Sequence, residues 1–300
     1  ITDSLTISSS STDSEDLHAG QDITVNGYES VTIDVSTLGA AIAQDAGDIT
    51  LAPDTGGTGT LTITGDNTYN ASAGAGVITA DVIDASGMTA QAATATTLTL
   101  DMNNNAAVAL GSSMTITGSD GNDLILGDIN TANTITGNAG NDDMTGGSAN
   151  DTISGGAGND TLRATTTGID TLTGGAGNDT FVMDANFWIT TADTDTVDGG
   201  DGTDTLSLTS AGMALIDAYG ISGSNSLNGA LTSVEALNIS DAFNTGVDFD
   251  MARLDGVTTV DMDASITGAE AFTGVPSGAS FTVNTAPNAA TDDLTLTLAV

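Results

Sequence analysis

Cysteine is absent from the 300-residue chain, so neither a disulfide framework nor thiol chemistry is open to it. Lysine is absent too, and two arginines, Arg163 and Arg253, face 40 acidic residues for a formal net charge of −38. Nothing in such a chain neutralises phosphates, which excludes nucleic acid as a partner. There is one histidine, His18, and neither His-Glu-x-x-His nor Gly-x-Ser-x-Gly occurs, so no enzyme is expected. His18 sits beside Glu15 and Asp16 and reads as a surface residue of a polar loop. No run of about 18 apolar residues exists, so no membrane-spanning helix is expected. The single tryptophan, in Asn186-Phe187-Trp188-Ile189, reads as local core. Helix is scarce as well: only 38–44 and 211–218 have apolar spacing that suits two turns.

What the chain has in abundance is aspartate. Of its acids 36 are Asp and four are Glu (Glu15, Glu29, Glu235, Glu270). Glutamate would dominate a solvated helical surface, whereas aspartate favours turns and short-reach ligation. The aspartates fall in a pattern. Nine-residue units of the form Gly-Gly-x-Gly-x-Asp-x-U-x, with U a large apolar residue, run over 118–126, 137–145, 146–154, 155–163 and 174–182, with a further copy at 199–207. Degenerate units at 128–136 and 165–173 keep a carboxamide or carboxylate at the sixth place and Ile135 or Leu172 at the eighth.

Each residue type has a physical task. Glycine permits left-handed φ and a bare backbone, so the chain turns tightly with its carbonyl oxygens aimed at one spot. The aspartate adds a charged oxygen. Calcium takes six to eight hard oxygen ligands at roughly 2.3–2.6 Å; one such turn supplies about half of them and a neighbouring turn the rest. The candidate metal residues are therefore Gly118, Asp120, Gly121 and Asp123; Gly137, Gly140 and Asp142; Gly146 and Asp151; Gly155, Gly156, Gly158 and Asp160; Asp170; Gly174, Gly175, Gly177 and Asp179; and Gly199, Asp201 and Asp204. A metal-free ladder of stacked carboxylates would repel itself strongly. Asp193, Asp195, Asp198, Asp201 and Asp204 offer a possible additional site or a solvated loop. Asp248/Asp250 and Asp261/Asp263 read as surface pairs before metal sites.

These units resemble the calcium-binding RTX nonapeptides, and the resemblance implies a parallel β-roll. If one coil consumes two units, one edge carries Asp123, Asp142, Asp160 and Asp179, spaced 19, 18 and 19 residues apart, and the other carries Asn133, Asp151 and Asp170. Strands stack at about 4.8 Å, so consecutive turns can sandwich an ion, giving about five Ca2+ ions in the roll. Ile125, Ile135, Met144, Ile153, Leu162, Leu172 and Phe181 then point inward as a thin core. The chain departs from the repeat at Ser119, Asn138 and Ala149, which replace glycines, and at Asn133, which replaces the aspartate; Ser148 lies beside Ala149 at a free place of its unit.

Outside the units, short alternating runs rich in Thr, Val, Ile and Leu predict strands at 4–9, 22–25, 31–35, 48–51, 60–64, 77–83, 97–102 and 114–116. After the units the same reading gives 234–239, 246–249, 257–262, 281–283 and 294–298. The fold expected is all-β: an N-terminal β-solenoid-like module (1–117), the calcium roll (118–207) and a C-terminal β-rich module (208–300). Val234-Glu235-Ala236-Leu237-Asn238-Ile239 echoes residues 28–33, and Asp261-Met262-Asp263-Ala264-Ser265 echoes 82–86. With those segments and its lysine-free composition, the chain is similar to RTX-type surface-layer proteins of Gram-negative bacteria. That resemblance implies type I export, folding outside the cell as calcium binds, and assembly with copies of itself into a lattice, with cell-surface polysaccharide as a further partner. The competing reading is a repeat segment of a secreted RTX adhesin for cells, carbohydrate or ice, to which Thr-x-Thr rows such as Thr60, Thr62 and Thr64 or Thr97 and Thr99 would contribute. Ile1 begins without a charged leader and the chain ends in TLTLAV, so a piece of a longer protein is expected.

Overall fold

The computed structural model describes residues 4–8, 23–34, 49–52, 58–65, 69–71, 78–89, 96–101, 113–164, 168–183, 195–209, 211–212, 230–241, 249–254, 256–262, 269–283 and 293–298. Strand is the dominant element among these residues, and the pairings between the described strands are parallel. The chain divides into two compact units, Ile1–Asp160 and Thr161–Val300.

In the first unit, one sheet runs in the order Ser4–Ser8, Ser30–Asp34, Thr60–Gly65, Val82–Met88, Met114–Thr117, Asn133–Ala139 and Thr152–Ala157. A second sheet contains Tyr69–Ala71, Thr96–Asp101, Asn122–Leu126 and Asp143–Thr145, and a three-stranded sheet joins Ile23–Asn26, Ile49–Ala52 and Ile78–Thr79. From residue 114 to 157 consecutive strands alternate between the two long sheets, so each coil uses one strand of each and two nonapeptides. Parallel pairing without a helical crossover is possible because the chain returns to the same sheet one full coil later.

Side chains alternate across each strand, and the inward ones meet their own kind. Val31, Leu61, Ile83, Ile116, Ile135 and Ile153 stand in register on successive strands, and all are buried. Burial of each such side chain contributes about 1.5–3 kcal/mol. The second unit repeats the device. Its strands Thr161–Ala164, Thr180–Met183, Thr205–Leu208, Ala236–Ile239, Thr259–Met262 and Ser280–Val283 align Leu162, Phe181, Leu206, Leu237, Val260 and Phe281. Opposite them Thr171–Ala176, Thr196–Asp201 and Leu231–Thr232 align Leu172, Val197 and Leu231, and a third sheet joins Phe249–Asp250, Ala269–Val275 and Asp293–Leu298. All seven apolar residues expected inside the repeats are at most 1% exposed.

The expected strand 77–83 is in fact two, Ile78–Thr79 and Val82–Met88, in different sheets. The break falls at Asp81, whose carboxylate accepts the Gly59 N–H at 2.8 Å and so marks a corner. The expected strand 234–239 starts only at Ala236, because Ser233 takes a left-handed φ of 53° and Glu235 serves the preceding turn. Tyr69–Ala71, Leu231–Thr232 and Ala269–Val275 are strands without a predicted counterpart. The expected helix 38–44, His18 and Trp188 lie outside the described residues; of 211–218 only Ala211 and Gly212 are described, and they are helical.

Candidate calcium-binding turns

Each coil of the repeat region bends at two edges, and the turns of one edge are built from the same residues at the same places. Gly118, Gly137 and Gly155 open successive turns that close on Asp123, Asp142 and Asp160, and in the second unit Gly174 and Gly199 open those that close on Asp179 and Asp204. Successive glycines leave no room for a side chain. A methyl group on Gly137 would run into Asp142 Oδ2 and the Gly155 carbonyl oxygen, and one on Gly174 into Asp179 Oδ2 and the Gly199 carbonyl. A carboxylate oxygen and a carbonyl of the next coil thus come together at Gly118, Gly137, Gly174 and Gly199. Gly158, at a φ of 135°, sits against the Gly140 carbonyl, a conformation and an approach that only glycine combines.

The carboxylates are held by the backbone of the neighbouring coil. Asp123 N–H donates to Asp142 Oδ1 at 2.8 Å and Asp142 N–H to Asp160 Oδ1 at 2.8 Å. In the second unit Asp179 N–H donates to Asp204 Oδ1 at 2.7 Å, and Asp204 N–H to Glu235 Oε2 at 2.9 Å. The opposite edges follow suit: Asn133 N–H reaches Asp151 Oδ1 and Asp170 N–H reaches Asp195 Oδ1, both at 2.7 Å. One oxygen is therefore fixed while the other faces the turn. Asp142 Oδ2 and Asp204 Oδ2 are buried and receive no hydrogen bond, as are Asp128 Oδ2 and Thr131 Oγ1. A buried carboxylate oxygen left so costs several kcal/mol if ionised, unless a cation meets it.

The electrostatics say the same. Burial, with the Asp123 charge second, pushes the Asp142 carboxyl up to about 8. Burial also raises Asp123, to about 6, against the lowering effect of hydrogen bonds from Ser119, and it raises Asp151 and Asp204. Among the described residues no three acidic or histidine side chains gather around one point. A metal held here must therefore draw most of its ligands from carbonyls, and carbonyls with one or two carboxylates are the hard oxygen set that suits calcium. The glycine-lined turns with Asp142 and Asp204 fit such an ion.

The candidate residues do not all share this setting. Asp123, Asp142, Asp151, Asp160, Asp170, Asp179 and Asp204 are buried at the turns, and Asp120 and Asp201 are exposed on their outer side. Asp195 and Asp204 occupy different files, Asp198 is exposed and Asp193 lies outside the described residues, so the five acids of 193–204 make no single cluster. Asp250 caps a short 3-10 helix, Met251–Arg253, by accepting from Ala252 N–H; Asp261 is half-buried, and Asp248 and Asp263 are outside the described residues. Two members went unread in the sequence: Glu235, which takes the Asp204 N–H, and Asp128, buried at the start of a degenerate unit. Asp195, read as part of an additional site or a solvated loop, instead takes the Asp170 N–H. Register was the signal for Asp195: it stands at the sixth place of a unit counted back from Gly199.

Residues 115–129, 129–162, 164–182 and 189–208 match the family described as RTX calcium-binding nonapeptide repeat (4 copies). No curated protein matches the chain. The chain carries calcium-binding RTX repeats, a structural unit typical of secreted, extracellular proteins. The matched segments contain every buried turn aspartate named above, and Glu235 lies beyond them.

Proposed function

We propose that the chain is a secreted structural protein that folds when calcium reaches its turns outside the cell and then serves as a building block of a surface layer. The observation that carries the folding half is the pair of buried oxygens, Asp142 Oδ2 and Asp204 Oδ2, each on a carboxylate whose other oxygen is already fixed by the adjacent coil. Where calcium is micromolar or lower these carboxylates oppose folding, and the −38 chain stays expanded, which suits export. Calcium, when bound, supplies the positive charge the turns lack. At about ten times Kd each site adds about 1.4 kcal/mol, so about five sites together decide whether the roll forms. Residues 118–207 are the calcium-dependent part in this reading, and 1–117 and 208–300 flank it as solenoid-like modules.

The surface-layer half rests on composition and on the Val234–Ile239 and 261–265 segments. Rigid, acidic surfaces on copies of one chain are joined by further divalent ions or by cell-surface polysaccharide. Calcium titration followed by circular dichroism and sedimentation tests both halves, with electron microscopy of the assembled material. Calcium-dependent β-structure and ordered sheets are expected. β-Structure indifferent to chelator defeats the folding claim, and a calcium-loaded chain that stays monomeric at high concentration defeats the lattice.

One observation favours the adhesin instead. Outward hydroxyls line up across the first unit, Thr32 beside Thr62 and Thr117 beside Thr136, but Asp84 breaks the rank between them. Retention on ice or on a polysaccharide matrix by monomeric, calcium-loaded chain would favour that reading.

A further inference from the structure

The turn that departs furthest from the repeat closes on a carboxamide instead of a carboxylate. At the sixth place of the unit 128–136 stands Asn133, which is 1% exposed. Its side-chain nitrogen donates to the Asp128 carbonyl at 3.0 Å, to the Thr131 carbonyl at 2.9 Å and to Asp151 Oδ1 at 2.9 Å. Those acceptors are two backbone carbonyls of its own turn and one carboxylate oxygen of the next coil. They are the kinds of oxygen that a cation between two turns would gather. The other end of the amide is occupied as well, since Asn133 Oδ1 accepts Asp128 N–H at 3.0 Å. Asp151, for its part, accepts Asn133 N–H through Oδ1 and Gly147 N–H through Oδ2. Asp142 and Asp204 each keep one buried oxygen without a donor, whereas both oxygens of Asp151 are met by the protein.

We propose that the Asn133 amide does for the turn 128–133 what calcium does for the aspartate turns, and that this turn holds no ion. The inference rests on the calcium reading above and narrows it: the metal file on this edge starts only after Asn133. An uncharged amide brings two donor hydrogens to the crowded oxygens and adds no negative charge beside Asp151. Aspartate at the same place would bring no donor and would set a second carboxylate against a buried one, an arrangement that calls for a cation. Asparagine at position 133 thus fixes the number of ions. The remaining opening for an ion in this turn is at Asp128 Oδ2 and Thr131 Oγ1, which are buried and receive no hydrogen bond.

The test is a count of bound calcium. Full-length wild type, Asn133→Asp and Asp128→Asn are brought to saturation by equilibrium dialysis, and calcium per folded chain is measured by atomic emission. Asn133→Asp is expected to hold one ion more than wild type, and Asp128→Asn the same number as wild type. A folded Asn133→Asp chain with no extra ion overturns the proposal, and so does the loss of one ion from Asp128→Asn, which also decides the matter if Asn133→Asp fails to fold. Wild-type chain with no bound calcium at all would refute the calcium reading itself, a result distinct from either.

Discussion

Replacing Asp142 by asparagine separates two effects that the native residue combines. Its carboxylate is the buried charge that weakens the metal-free roll and the charge that calcium would find there. The variant is therefore expected to melt at a higher temperature than wild type in chelator, and to lose about 1.4 kcal/mol of calcium-dependent stabilisation when the ion is at ten times Kd. Thermal melts by circular dichroism with and without calcium check both signs; a variant that is weaker in both conditions contradicts the account. Glycine gives a second test at the same scale. Gly137→Ala drives a methyl into Asp142 Oδ2 and the Gly155 carbonyl, an overpacking cost of about 1–3 kcal/mol or more. At Gly278 the φ of 87° is strained for alanine but nothing lies within 4 Å, so Gly278→Ala should lose only about 1–2 kcal/mol; denaturant titration of the two variants beside wild type checks both values.

Among the elements, the strands were legible in the sequence wherever alternation and register agreed. The runs at 31–35, 60–64 and 114–116 sit within one residue of Ser30–Asp34, Thr60–Gly65 and Met114–Thr117, because each has one buried face and one outward hydroxyl face. The corners were less legible. Asp81 and Glu235 look like ordinary strand or surface residues until a neighbouring coil presents an N–H to them. Ala269–Val275 was missed because a short Ala-Glu-Ala-Phe run carries little alternation, and its strand character comes from pairing with Phe249–Asp250 on one side and Asp293–Leu298 on the other. Phe272, fully buried within it, packs edge-on against Phe249 at 6.2 Å and Phe281 at 5.3 Å, linking two sheets. Phe272→Ala should therefore cost about 3–5 kcal/mol, measured by denaturant unfolding, with calcium binding at the repeats of folded chain unchanged.

At the scale of the whole molecule, charge decides when folding is possible. Asp123 and Asp142 have folded-state values of about 6 and about 8 in the absence of metal, both above the ordinary 3.8. The folded chain then binds more protons than the unfolded one, so this contribution to stability is complete below about pH 4 and is lost as pH rises through 6 and then 8. In chelator the β-structure seen by circular dichroism should grow on acidification from pH 8 to pH 5. In calcium the dependence reverses: protons compete for the same oxygens, and the calcium midpoint should rise as pH falls. A metal-free chain that loses structure on mild acidification would contradict the burial of these carboxylates.

The bonds from each turn's N–H to the following turn's carboxylate all point one way along the chain. A file so built has a head and a tail. Trim the coil at its N-terminal end and the next carboxylate loses a donor, which water replaces; trim the coil at its C-terminal end and an amide is stranded with no acceptor. Glu235, whose longer arm reaches Asp204 from a coil without the nonapeptide, is the stopper that lets the series finish.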